Sequence, residues 1–294
     1  MGLDRHGVRL LLEAGAHGVS FKRSVTIGRQ HLHLDTESLS VLLGRFGISS
    51  AIAESRRILE EEDGFCEPLL RKLGAEEVCS IDFSAYEKAT LLHDMNQPIP
   101  DSLVGRFSAV VESGSLEHIF NFPVAIANCL RMVALGGHFL AIAPINNQMG
   151  HGFYQFSPEL FYRVCEEENG FAAERVIAYQ DCWPFDQWHA VRDPKKVGRR
   201  VTLFNRYPAF LIVQAKRVSD APPFSAMPQQ SDYLAVWDSR ANHPKGTSKS
   251  GDTSVPLSEN IATVLGTPLK RFIATNTVTV SEVLFLNVTS SIGS

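Results

Sequence analysis

One segment, residues 107–143, limits the folds open to this chain more than any other. Phe107 to Val111 is a short apolar run that ends in an acid, Glu112, and a small-residue turn, Ser113-Gly114-Ser115. Leu116-Glu117-His118 follows, then a helical pattern closed by Gly136-Gly137, then a second apolar run from His138 to Ala143. Strand, polar loop, helix and strand in that order form a βαβ unit, because two parallel strands need a crossover connection and a helix supplies it. In an open sheet of such units, ligand-binding groups collect just past the carboxyl ends of the strands.

The same alternation extends over most of the chain. Ser24 to Gly28, Glu77 to Phe83, Ala89 to His93, Phe171 to Tyr179 and Pro208 to Ala215 are short, β-branched or aromatic runs bounded by turn residues, and read as strands. Between and before them lie helical patterns: residues 3–15, a helix capped by Asp35-Thr36 and running to Phe46, one capped by Ser49-Ser50 through Glu62, and one from Glu67 to Leu73. Ser157-Pro158-Glu159 combines a capping hydroxyl, proline in the first turn and an acid favoured by the helix dipole, and starts a helix to about Glu168. Strands alternating with helices predict an α/β fold with a mostly parallel sheet and helices on both faces.

Composition narrows the function classes. A 294-residue chain holds one α/β domain of roughly 200 residues plus an extension, or two small domains. A formal net charge of −4 argues against a general nucleic-acid-binding surface, and the one dense basic stretch, Arg192 to Arg200, reads as a solvated loop ahead of a phosphate patch. The five cysteines lie apart with no Cys-x-x-Cys pair, which predicts free thiols in a reducing compartment. Cys165, Cys182 and His189 lack zinc-site spacing, so no metal is expected there. No apolar run reaches the roughly 20 residues of a membrane span, and a cytoplasmic location is expected.

Past Ser219 the character changes. Asp220-Ala-Pro-Pro-Phe is linker-like, and residues 238–258 are rich in Ser, Thr, Pro, Gly and Lys. Residues 219–294 are therefore read as an irregular, partly disordered extension of a domain covering 1–218, with Thr277 to Val288 as an edge strand within it.

The Leu116-Glu117-His118 turn and the Val133-Ala134-Leu135-Gly136-Gly137 helix end resemble the fourth and fifth strands of the class I S-adenosylmethionine-dependent methyltransferases. The resemblance covers about residues 22–217, with a helical insertion at 29–76. It implies a Rossmann-like sheet of seven strands whose last strand is antiparallel, S-adenosylmethionine as cofactor, and site residues after each strand. Asp82 would accept hydrogen bonds from the ribose hydroxyls, with Phe83 over the adenine face. Asp94 would take the adenine amino group and Met95 the ring. Glu112, Ser113 and Gly114 would line the floor of the cofactor pocket. The first loop departs from the family: of its glycines only Gly28 remains, followed by Arg29, Gln30 and His31. Gly28 would still permit close approach, with Gln30 donating to the ligand's carboxylate.

The run Asn146 to Phe156 sets amides, glycines, a histidine and aromatics after the fifth strand. It offers His151 as a general base and Tyr154 as a second candidate, against the plainer reading of an aromatic cover over the sheet. His118 is weighed as a structural histidine first and a catalytic one second. Trp183 to His189 reads as a lid, a partner surface or packing between the last two strands. The expected activity is methyl transfer to a small-molecule or glycan-type substrate. The competing expectation is a catalytically silent binding or scaffold protein that kept the fold and lost the cofactor loop.

Overall fold

The computed structural model describes residues 2–182, 187–198, 201, 203, 205–234 and 286–287. Gly2–Leu3 (β1) leads into α1 (Arg5–Ala16), whose N-terminus is capped by Asp4: its Oδ1 accepts from the amides of His6 (2.8 Å) and Gly7 (2.9 Å). β2 (Arg23–Ile27) follows, and β3 (His31–Leu32) pairs in parallel with β1 as a separate two-stranded ribbon. Asp35 caps α2 (Thr36–Arg45) through its bond to the Ser38 amide, as expected. α3 (Ile52–Glu60) starts at Ala51 without a side-chain cap, since the Ser49 hydroxyl accepts from Ala51 instead. α4 (Glu67–Lys72) precedes β4 (Glu77–Asp82) and the two-residue β5 (Leu91–Leu92).

β6 (Phe107–Ser113) runs past Val111, so Glu112 and Ser113 are strand residues and not loop residues. α5 (Phe122–Met132) stops before Gly136-Gly137, contrary to the expected helix end. Val133 instead opens the long β7 (Val133–Asn146) and pairs with Phe107 of β6, with a register shift that the two glycines absorb. Gly137 tolerates no side chain there, because a Cβ would lie 2.7 Å from the Ser108 carbonyl. α6 (Pro158–Val164) begins at the Ser157 cap and ends one turn early. β8 (Phe171–Gln180), β9 (His189–Ala190), α7 (Pro194–Val197) and β10 (Ala209–Arg217) complete the body. β11 (Leu286–Asn287) pairs antiparallel with β9; the rest of the expected 277–288 strand lies outside the described residues, as do Trp183 to Asp186.

The main sheet has the order β5-β4-β2-β6-β7-β10-β8-β9-β11. β5, β4, β2, β6 and β7 are mutually parallel, and β10 lies antiparallel between β7 and β8. The count is thus nine strands and not the expected seven, because two short strands extend the β8 edge. Alternating side chains divide the interior into two cores, as a pleated sheet requires. Ala109, Val111, Leu140, Ile142 and Ile212 face α1 to α4. Val110, Phe139, Ala141, Leu211 and Val213 face α5 and α6. The segment 29–76 therefore supplies much of the covering layer on one face.

Residues 219–230 carry no regular element and 231–234 form a single helical turn, and the segment docks on the body. The Asn169 Oδ1 accepts from the Ala226 amide (2.9 Å), and Glu159 Oε1 accepts from the Ser231 amide (3.0 Å) and hydroxyl (2.6 Å). Cys66, Cys79, Cys129 and Cys165 are free thiols, all four buried. Among the described residues no helix is long and apolar enough to cross a membrane.

Candidate functional site

The carboxyl ends of the central strands divide into two halves with different characters. Over β6, β7 and β10 lies a cavity of about 330 Å³, bounded by Ser113, Gly114, Glu117, His118 and His151, with Gly2, Asp4 and His33 on another wall. Its floor is built by two local devices. Glu112, at the end of β6, accepts from the amides of Ser115 (2.6 Å) and Leu116 (3.1 Å), which folds the Leu116–His118 turn back over the strand. The loop after β7 then clamps onto that turn: the Phe153 amide donates to the Glu117 carbonyl at 2.7 Å. Gly152 makes the clamp possible, since it has φ 76° and a Cβ there would meet the same carbonyl at 2.8 Å. His151 is thereby held with Nε2 3.5 Å from Glu117 Oε1.

Two acids are shut inside this floor, each only 1% exposed. Their inner oxygens, Glu112 Oε2 and Glu117 Oε2, have no hydrogen-bond partner among the described residues. Burial, with the neighbouring Glu117, pushes the Glu112 carboxyl up to about 8. Burial likewise raises the Glu117 carboxyl, partly offset by His151. Burial and the adjacent His151 lower the His118 imidazole. The His118 and His151 rings stand 5.1 Å apart, edge to face.

Over β2 and β4, the loops are tied together by a buried arginine. Arg29 is buried; its guanidinium donates to Glu67 (2.6 Å), to Glu62 (3.1 Å) and to the Glu87 carbonyl (3.1 Å), and lies 4.0 Å over the Phe65 ring. It ties the loop after β2 to the 62–67 segment and to the turn after β4. Composition gave no sign of this network, because its members come from three separate loops.

The expected site residues separate accordingly. Asp82 is half-exposed at the end of β4, its Oδ1 accepting from Ser84, and the Phe83 ring is 77% exposed. Asp94 is half-exposed and caps a turn through Asn96, which also lowers its carboxyl. Gly28 ends β2 with a positive φ. Gln30 is different: it is wholly buried and its Nε2 donates to the Ile27 carbonyl at 2.6 Å, so it offers no donor to a ligand. Met95 belongs to the core, and Glu112 faces the protein interior. Ser113 and Gly114 border the cavity. Tyr154 stacks between Phe122 and Phe156 and donates to the Phe120 carbonyl at 2.6 Å, and it borders neither large cavity. The loop has a second side as well: Asn146, Gln155 and Phe156 border a separate cavity of about 390 Å³ with Glu159 and Asn205. Trp188 packs inward, donating from Nε1 to His6 Nδ1 at 2.9 Å, as part of the core and not of a lid.

Counted along the chain, the seven principal strands lie in the order third, second, first, fourth, fifth, seventh, sixth, with the seventh antiparallel. The chain has the class I methyltransferase fold. No family model matches the chain, and no curated protein matches it. Similar solved structures include a methyltransferase from Thermotoga maritima described as a possible histamine N-methyltransferase, 13% identical, covering 71% of this chain and 89% of that one at a TM-score of 0.33. The N-methyltransferase NodS of Bradyrhizobium japonicum with S-adenosyl-L-homocysteine is 13% identical over 73% of this chain and 86% of that one, TM-score 0.37. The 1,6-didemethyltoxoflavin-N1-methyltransferase of Burkholderia thailandensis is 12% identical over 73% and 78%, TM-score 0.37. At such scores the likeness decides neither ligand nor activity.

For S-adenosylmethionine, the residues at the nucleoside end of the methyltransferase fold fit. Asp82 and Asp94 present carboxylates at the ends of the second and third strands, with the Phe83 ring open beside them. Met95, expected beside the adenine ring, does not fit, and at the other end neither do Gln30 and Glu112, because all three are buried.

Proposed function

We propose that the chain binds S-adenosylmethionine at the carboxyl ends of its parallel strands and methylates a small polar molecule held in the 330 Å³ cavity. The observation that carries the reading is the placement of half-exposed strand-end acids, Asp82 and Asp94, on the same sheet edge as the cavity, which begins at β6, two strands along from β4. In an open α/β sheet that edge is where nucleotide and substrate meet. When bound, the cofactor supplies an electrophilic methyl group. The chain supplies position: Asp82 holds the ribose, Asp94 the adenine, and the cavity wall at Ser113 and Gly114 sets the distance to the substrate. His118 and His151 place two imidazoles on the cavity floor, where the substrate's nucleophile arrives. Orientation alone is worth on the order of 7–11 kcal/mol in favourable intramolecular models, so a strong base is not required.

Calorimetry and thermal unfolding with S-adenosylhomocysteine test the reading. Ligand at a hundred times its dissociation constant should stabilise the fold by about 2.7 kcal/mol. Asp82→Ala should weaken binding by about 1.5–3 kcal/mol, the loss of a charged hydrogen-bonding partner. No binding at millimolar ligand would leave a scaffold that kept the sheet and lost the cofactor.

A further inference from the structure

The cavity floor holds more than two imidazoles. Glu117, His118 and His151 each offer one potential ligand atom, and the three atoms lie within 4.8 Å of one another. Glu117 is buried, and its Oε2 has no hydrogen-bond partner among the described residues. A desolvated carboxylate oxygen left without a donor is costly, and a cation is one of the few partners that satisfies it. The three groups border a cavity large enough to admit a further ligand. The backbone clamp at Gly152 and Phe153 holds His151 against Glu117, although the two residues are far apart in sequence.

We propose that Glu117, His118 and His151 form a binding site for a divalent first-row transition-metal cation, with zinc as the best match. Two imidazoles and one carboxylate are a ligand set that zinc takes in open sites, leaving a position for water or substrate. Ligand atoms around a tetrahedral zinc stand about 3.3 Å apart, given bonds of about 2.0–2.1 Å. Glu117 and His151 are already at 3.5 Å. The remaining closure falls to the exposed His118 side chain, while Glu117 stays fixed in the floor and the clamp holds His151 beside it. The open position faces the cavity, where it takes an oxygen or nitrogen donor of a bound molecule. This site stands or falls independently of methyl transfer, because its test involves neither cofactor nor turnover.

The experiment is titration of the full-length, metal-stripped protein with Zn²⁺ by calorimetry and with Co²⁺ by visible absorption. The expected result is one tight equivalent and a Co²⁺ d–d band of low-coordinate intensity. His118→Ala and His151→Ala, both at exposed positions, should each lower Zn²⁺ affinity by about 100-fold and abolish the band, with the thermal midpoint of the metal-free protein unchanged. His17→Ala and His93→Ala, at histidines outside the cavity, should leave both readouts as they are. Binding that survives in the His118→Ala/His151→Ala double variant, or loss of it in the two outside variants, would overturn the site. So would the absence of any tight equivalent in the parent protein. If His151→Ala abolishes binding and His118→Ala does not, the three-ligand site is also wrong, and Glu117 with His151 is an ion pair that captures metal alone.

Discussion

At the residue scale, the two buried acids make the least expected statement about this molecule. Glu112 caps the turn that carries Glu117 and His118, yet it is itself shut away from water. Its carboxyl is raised to about 8, so the folded state keeps a proton that the unfolded chain releases near its ordinary value. The contribution to stability is fully present below that ordinary value and is lost as pH rises towards and through 8. Glu117 shifts in the same direction and adds to the loss. These two acids therefore subtract stability between about pH 4.5 and 8. Glu112→Gln retains an acceptor for Ser115 and Leu116 and carries no charge, so it should show a shallower slope. At pH 8 its advantage over the parent should be on the order of a few kcal/mol, read from urea midpoints at pH 6 and pH 8. Equal slopes would mean that Glu112 is ionised in the folded protein. None of this was legible in the run Val111-Glu112-Ser113, where the acid looks like the polar end of a strand. Its burial follows from the strand continuing two residues further than its apolar stretch.

At the element scale, the loop from Asn146 to Phe156 shows how a local pattern acquires a role through docking. Its amides and glycines mark a turn-rich segment, and the structure turns one side of it to each of two cavities. His151 and Tyr154 look equivalent in sequence. The structure separates them, because the Tyr154 hydroxyl is taken by Phe120 and the His151 ring is held beside Glu117. The clamp at Gly152 is testable by comparison with its neighbour. Gly150 also has a positive φ but nothing within 4 Å of its would-be Cβ. Gly150→Ala should cost only the left-handed backbone penalty, about 1 kcal/mol, whereas Gly152→Ala adds a clash with the Glu117 carbonyl and should cost roughly 2–3 kcal/mol. Denaturation midpoints of the two variants distinguish the cases, and equal costs would show that the loop yields without resistance. Helix α5 carries a related lesson. Gly136-Gly137 is a strong stop signal, but Val133 was captured by the β6 edge first, and the glycines served a sheet irregularity instead.

At the scale of the whole molecule, the boundary near residue 219 is compositional and not structural. The segment 219–234 has no regular strand, yet it supplies donors to Asn169 and Glu159 and closes over Gly170. A chain ended after Ser219 strands those acceptors at about 1 kcal/mol each, and its thermal midpoint should fall by roughly 5–10 °C. A chain ended after Leu234 keeps them and should unfold closer to the parent. Matching midpoints for the two truncations would return the boundary to 219. By itself the sequence determined the alternation of strands and helices, the Asp35 and Ser157 caps and the acids at the strand ends. These are set by neighbours within a few residues, through side-chain period, capping bonds and backbone preference. Only the tertiary structure decided that Arg29 joins Glu62, Glu67 and the Glu87 carbonyl, that Gln30 and Met95 turn inward, and that Glu117, His118 and His151 meet. Those outcomes depend on which loops the sheet order brings side by side, and on burial, which no stretch of chain can assign to itself.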